Sequence, residues 1–335
     1  MNINKDNSIK SKIKISCNKQ GAKTFLVDSY FDIPYKLVHY GNSQRTNHLE
    51  VIQMCSSPGV MDGDSLDMEV ICGENTEFKL FTQSFNKIHP MPKGKGAEQF
   101  FKFKLKSGAV FQFLPHPTIP YEKSIFYANN EITLEEDSHL IWGDIISGGR
   151  IYSGEKFLFK KYHTRTKIYR DSKLILFDNQ LIEPEEQPIE DMLFFEGYTH
   201  QATLVIVSSF ADEFKKELDE ILLEQFTDVT YGFTSCAKNA LMIRALGDSG
   251  EALYEWMNSL ATMAWEFVKY KNKQNVNVEA DSQVKQVLIE AKETKVKEPK
   301  AKPKTKTSTK KTSKTVSKEK NKTISSTSKK NKKDA

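Results

Sequence analysis

The run FFKFKLKSGAVFQF, residues 100–113, alternates with a period of two. Phe101, Phe103 and Leu105 fall on one face, and Lys102, Lys104 and Lys106 on the other, as in a strand buried on one side and wet on the other. Lys106-Ser-Gly-Ala109 then offers a turn, after which Phe111 and Phe113 resume the alternation. The stretches EFKLFTQSF (77–85), EKFLFKKYHTRTKIY (155–169) and KLILFDNQLI (173–182) repeat the theme. Turn signals separate them at Gly73-Glu74-Asn75, Glu136-Asp137-Ser138 and Arg170-Asp171-Ser172. Many short strands with close turns predict an all-β body from about residue 9 to residue 210. Alternation alone leaves a sandwich, a barrel and a stacked β-helix open.

Around residue 211 the period changes. ADEFKKELDEILLEQF puts Phe214, Leu218, Ile221, Leu222 and Phe226 on one helical stripe, with acidic residues at its start, where the helix dipole favours them. SGEALYEWMNSLATMAWEFVKY gives a second helix, with Ser249 as N-cap and Leu253, Trp256, Met257, Leu260 and Met263 in phase. Both stripes are expected to pack against the β body.

The net charge of +5 averages two unlike regions. Residues 1–271 hold 30 Lys/Arg and 37 Asp/Glu, whereas residues 272–335 hold 19 Lys and 7 Asp/Glu. The chain therefore reads as an acidic β-rich domain (1–271) followed by a basic, low-complexity tail (272–335). One short amphipathic helix is possible near residues 280–293. The rest of the tail is expected to be disordered, because it cannot bury enough apolar surface to offset its ordering entropy. No aromatic interrupts its lysines, which argues against base stacking and against a specific nucleic-acid site. Cys17, Cys55, Cys72 and Cys236 show neither a CxxC spacing nor a disulfide-dense pattern, and Cys55 and Cys72 read as small strand hydrophobes. The polar N-terminus resembles no signal peptide, and no apolar run approaches a membrane span, so a cytoplasmic location is expected.

Enzyme motifs are scarce. There is no GxxxxGK[ST] phosphate loop, GxSxG elbow, HExxH or GxGxxG, and the seven histidines are scattered. Each lone histidine reads as a turn or strand residue. The acidic loop SSPGVMDGDSLDMEV (56–70) stands out. Pro58-Gly59 and Gly63 form a turn from which Asp62, Asp64 and Asp67 project. Three aspartates without His or Cys make at best a weak, exchangeable site for a divalent ion.

The order of segments carries more than any one motif. Gly63-Asp64, Thr82-Gln83 with Lys87, Leu114-Pro115, Gly149-Arg150 and Gly154-Glu155 resemble, in sequence and spacing, the urease accessory proteins called UreD or UreH. The likeness covers roughly residues 9–265. It departs from the family pattern at Val60-Met61-Asp62, where a more glycine-rich run is usual. The resemblance implies a β-helix-like body with two helices near the C-terminus, and a metallochaperone scaffold without catalysis or a cofactor of its own. It implies the partners UreF, the GTPase UreG and apo-urease, and transient Ni²⁺ on its way to the urease active site. It also implies that Asp64, Asp144 and Asp178 lie along a nickel path, with Asp at the last two positions where Glu is frequent.

Two other classes stay open on residues alone. A β-helical carbohydrate-acting enzyme would draw acid and base from Asp62, Asp64 and Asp144. A nucleic-acid- or surface-binding protein would act through the basic tail.

Overall fold

A computed structural model describes residues 8–40, 45–223 and 228–296. The tail beyond residue 296, and with it the expected disorder there, lies outside the described residues. The chain separates into two units, residues 1–279 and 280–335. Within the second, the described part is the helical segment 280–296, where the short helix near 280–293 was expected.

The first unit is a β-solenoid of about four turns. Its strands alternate between two facing sheets. The first sheet stacks β1 (Lys10–Gln20), β5 (Ser65–Cys72), β8 (Ala97–Leu105), β11 (Ile125–Leu134) and β13 (Lys161–Arg170) in parallel register. β2 (Lys23–Phe31) and β14 (Lys173–Ile182) close its two edges antiparallel. The second sheet stacks β4 (Leu49–Cys55), β6 (Glu77–Thr82), β9 (Val110–Leu114) and β12 (His139–Ser147) in parallel. β3 (Tyr35–His39) pairs antiparallel with β4 at one end, and β15 (His200–Val207), β17 (Ala240–Gly247) and β16 (Thr230–Ala237) extend the other. A short third side stacks Val60, β7 (Asn86–Ile88) and β10 (Thr118–Pro120) onto the end of β12.

The turn within the opening run is therefore a corner. β8 and β9 share no ladder; they lie in opposite sheets and face each other across the core. Phe103 is 1% exposed, and its ring lies 5.4–5.7 Å from those of Phe101, Phe111, Phe113 and Trp142. Three successive corners stack alike at Gly73–Thr76, Lys106–Ala109 and Glu135–Ser138. Backbone bonds such as Asn75 N–H to Ser107 O (2.9 Å) and Glu135 N–H to Leu105 O (2.9 Å) hold one corner on the next. Each has a left-handed residue in the same place, namely Asn75, Gly108 and Asp137. Gly108 suits this corner because a Cβ there would lie 2.3 Å from Asn75 Oδ1, besides sitting at φ +67°.

The helices cover the outer face of the second sheet. α1 (Ala211–Leu223) buries Phe214 and Leu218. α2 (Gly250–Val296) buries Leu253, Met257, Leu260, Ala261, Ala264 and Trp265 against Leu114, Ile141, Leu204 and Ile243. Ser249 Oγ accepts from Ala252 N–H (3.2 Å), as its N-cap reading requires. Trp256 and Met263 are only half-buried beside this cluster, and Leu222 and Phe226 lie outside the described side chains. Position 271, where the two domains were expected to part, falls inside α2. No helix among the described residues is long and apolar enough to cross a membrane.

Phe103→Ala should destabilise the fold by about 3–5 kcal/mol, because the two sheets cannot collapse onto the cavity it leaves. Phe103→Leu should cost far less; equilibrium denaturation of both variants checks the order.

Candidate functional site

Parallel stacking places the same inward position of each turn on one ladder, and the chemistry of these ladders changes along the solenoid. In the first sheet, Ile15, Val70, Phe103, Ile132, Ile168 and Leu176 stack as an unbroken apolar ladder. The adjacent inward ladder runs Ile13, Met68, Phe101, Asn130, Thr166, Asp178, so it turns polar halfway. Facing it, the second sheet carries Asp144, Thr203 and Arg244 on successive strands, with Gln53 and Thr82 paired on the earlier turns. A polar seam thus runs between two otherwise apolar sheets.

A cavity of about 210 Å³ opens along this seam. Its wall includes Cys55, Asp64, His116, Asn130, Asp144 and Tyr162. Asp144 is half-buried and within hydrogen-bonding reach of the Tyr162 hydroxyl. Burial, with the negative charge of Asp178 adding to it, pushes the Asp144 carboxyl up to about 7. Burial, reinforced by Asp144, likewise raises the Tyr162 hydroxyl well above its ordinary range. Asn130 is 6% exposed; its Nδ2 donates to Thr166 Oγ1 (3.0 Å), and its amide oxygen has no protein partner.

The aspartates named from the sequence are placed differently. Asp64 lines the cavity, but its two oxygens accept from the backbone N–H of Ile9 (2.8 Å) and Met61 (2.9 Å), tying the first strand to the loop. Asp178 lies two strands beyond Asn130 on the same ladder, in the last strand of the first sheet, and pairs with Arg244 (2.5 Å) in the last strand but one of the second. Asp62 is outside the cavity wall, accepting from the backbone N–H of Lys93 (2.5 Å) and Lys95 (3.0 Å). Asp62 therefore does not share the cavity wall with Asp64 and Asp144. Asp67 is exposed on β5. Among the described residues there is no group of three or more His, Cys, Asp or Glu arranged to hold a metal ion.

Two cavity residues were read from the sequence without a role at the site, Cys55 as a small strand hydrophobe and His116 as a turn or strand residue. Cys55 is exposed at the end of β4 instead of buried like Cys72, and burial of the sulfur still raises its thiol. His116 leaves the strand after Pro115 and stacks on Tyr254 of α2, with ring centroids 4.2 Å apart. Burial lowers its pKa, and its backbone N–H donates to Thr82 Oγ1 (2.8 Å). Nothing local marks either residue; only the stacking of turns brings them to the seam.

The profile of the UreD urease accessory protein family matches residues 10–278, nearly the whole first unit. The chain belongs to this family. It is 37% identical over 244 residues to a urease accessory protein UreD of Acetivibrio thermocellus, covering 72% of this chain and 92% of that protein. A UreD of Flavobacterium johnsoniae is 29% identical over 257 residues, covering 76% and 92%. A UreH of Helicobacter pylori is 29% identical over 270 residues, covering 79% and 97%. Membership supports a role in urease maturation.

The seam has a measurable pH signature. Between the ordinary carboxylate range near 4 and about 7, folded Asp144 keeps a proton that the unfolded chain has released, so its contribution to stability falls as pH rises through that window. His139 and His200, lowered to about 4 mainly by burial, act in the opposite sense there, so the parent profile is a mixture. Asp144→Asn should gain stability over the parent at pH 8 relative to pH 5, by on the order of 2 kcal/mol. Denaturant midpoints of the two proteins at both pH values measure the difference.

Proposed function

We propose that the polar seam is a passage for Ni²⁺ during urease maturation. In this reading the chain is a scaffold without catalysis that binds UreF, recruits the GTPase UreG and docks on apo-urease. The observation that carries it is the seam itself, in which Asp64 and Asp144 line one cavity and Asp178 lies further along the polar ladder. Buried polar surface is costly to a fold, and an apolar continuation of the core would be more stable. Retaining oxygen donors in series between two sheets is reasonable where a hard or borderline cation has to travel.

Weak ligation suits such a role. A site of nanomolar affinity would hold the ion by roughly 12 kcal/mol relative to the standard state and would trap it. Separated carboxylates attract the cation and screen its charge without completing a coordination shell.

The test combines Asp64→Asn, Asp144→Asn and Asp178→Asn, singly and together, with urease activation in cells and pull-down of UreF. Asn at position 64 keeps an acceptor for the loop that Asp64 ties. Activation should fall at least tenfold in the triple variant while UreF is still captured; full activation would end the passage reading. The basic extension should be dispensable for the UreF contact, so a chain truncated after Glu279, where the first unit ends, should still capture UreF.

A further inference from the structure

The far end of the seam holds a charge arrangement that neither ladder needs for packing. On the second sheet, Asp144, Thr203 and Arg244 face one another across successive strands. On the first, Asn130, Thr166 and Asp178 do the same. Two strand spacings, about 10 Å, separate the backbones at either end of each trio. Arg244 crosses from the second sheet to Asp178 on the first, so the two ladders meet in an ion pair. The Asp178 side chain is 22% exposed and that of Arg244 44%. The guanidinium is therefore the more exposed partner and the carboxylate the more buried one.

Inward of this pair lies an unfinished oxygen set. The Asn130 amide oxygen is buried without a protein partner, and Asn130, Asp144 and Tyr162 all belong to the cavity wall. Burying an amide oxygen without a partner costs free energy, so the site calls for a water or a cation. Of the carboxylates in the cavity wall, Asp64 is tied to two backbone N–H groups and Glu98 is exposed, which leaves Asp144 as the carboxylate for such a cation. Without Arg244 the negative charge of Asp178, two strands along the ladder from Asn130, would be left uncompensated.

The geometry points to a divalent-cation station built from Asp144 and Asn130, in which Arg244 withholds Asp178 and so decides whether the passage releases or retains its ion. This rests on the passage reading and adds its regulation. The logic is electrostatic. One carboxylate and neutral oxygens make a weak, fast-exchanging site, and a second carboxylate deepens it. Arg244 serves as an internal counter-ion, occupying with its own charge the place from which Asp178 would otherwise act. Arg244 is a positioning residue here: it is not a ligand, and it works only through Asp178.

The full chain, purified and free of metal, is titrated with NiCl₂ alone, and affinity is read by equilibrium dialysis. Arg244→Ala should bind Ni²⁺ roughly tenfold more tightly than the parent, the order expected when one more carboxylate faces a divalent ion in partly screened surroundings. Adding Asp178→Asn to Arg244→Ala should return affinity to the parent level, and Asp144→Asn should abolish the gain. If Arg244→Ala does not fold, Arg244→Gln keeps most of the side-chain bulk and is read in the same way. Unchanged affinity in the folded Arg244 variant overturns the inference, as does tight binding that survives the loss of Asp178. The passage reading fails on a separate measurement, full urease activation by the triple Asp64, Asp144 and Asp178 variant. In cells, an Arg244→Ala chain that retains its ion should activate urease more slowly; activation at the parent rate despite tighter binding would also count against the inference.

Discussion

In-register stacking of parallel turns is the constraint on which the rest of this structure depends. Each turn of a solenoid leaves one strand edge unpaired until the next turn covers it, so no turn is stable alone. Pairing in register also sets each inward side chain directly on its counterpart in the turn before. The ladder from Ile15 through Phe103 to Leu176 is apolar in all six strands, and it carries the contact between the sheets. The antiparallel strands β2, β14 and β3, with the three strands after β12, end the stack by a different geometry from its interior. A parallel stack has no intrinsic stop, and reversing the chain direction supplies one.

The same constraint explains how a polar seam can exist inside such a core. A polar residue in one turn sits against its ladder neighbours in the turns on either side, so a single substitution would face apolar neighbours and find no partner. Where successive turns are polar, side chains find partners along the ladder or across to the facing sheet, the Asn130 amide oxygen excepted. Asn130 bonds to Thr166, Gln180 on the first sheet reaches Gln201 on the second, and Asp178 pairs with Arg244. Flanking apolar positions keep the seam narrow. On one side lies the ladder through Phe103, and on the other Ala97, Phe126, Tyr162 and Ile182. The Tyr162 hydroxyl is the exception that turns toward the seam.

Local periodicity made the strands legible, because alternation is written into five or six consecutive residues and needs no partner. Phe101, Phe103, Phe111 and Phe113 are buried together as the alternation requires, and the turns at Asn75, Asp137 and Asp171 lie where Gly, Asn, Asp and Ser cluster. The choice among sandwich, barrel and solenoid was not legible from periodicity, since Lys106–Ala109 would serve a hairpin as well as a corner. That distinction rests on which residues thirty positions away lie alongside, and a two-residue period contains nothing about it. The site divides in the same way. Asp64, Asp144 and Asp178 were reached through the order of motifs across the family. Cys55, His116, Asn130 and Arg244 carry no local signature and acquire meaning only from register.

Strand β12 shows how closely the seam and the helical layer are bound together. Its inward residues Trp142 and Asp144 face the first sheet, while Ile141, Gly143 and Ile145 face outward beneath α2. Gly143 has no room for a side chain, since a Cβ there would come 2.2 Å from Leu114 Cδ1 and 2.9 Å from Met257 Cε. The adjacent pair Gly143-Asp144 thus serves two requirements of opposite kind, close approach of a helix on one face and a carboxyl in the cavity on the other. A slip of one residue in the β12 register would exchange the two faces, placing Asp144 under the helix and Gly143 in the seam. The helix side therefore helps to specify the seam side. Met257 and its neighbours fix the parity of β12, and that parity keeps Asp144 in the cavity wall with Asn130. His116 stacked on Tyr254 makes a second tie of this kind, since an imidazole in the cavity wall is packed directly on α2. Packing on the outer face and chemistry on the inner face are consequences of one register, and neither can shift without the other.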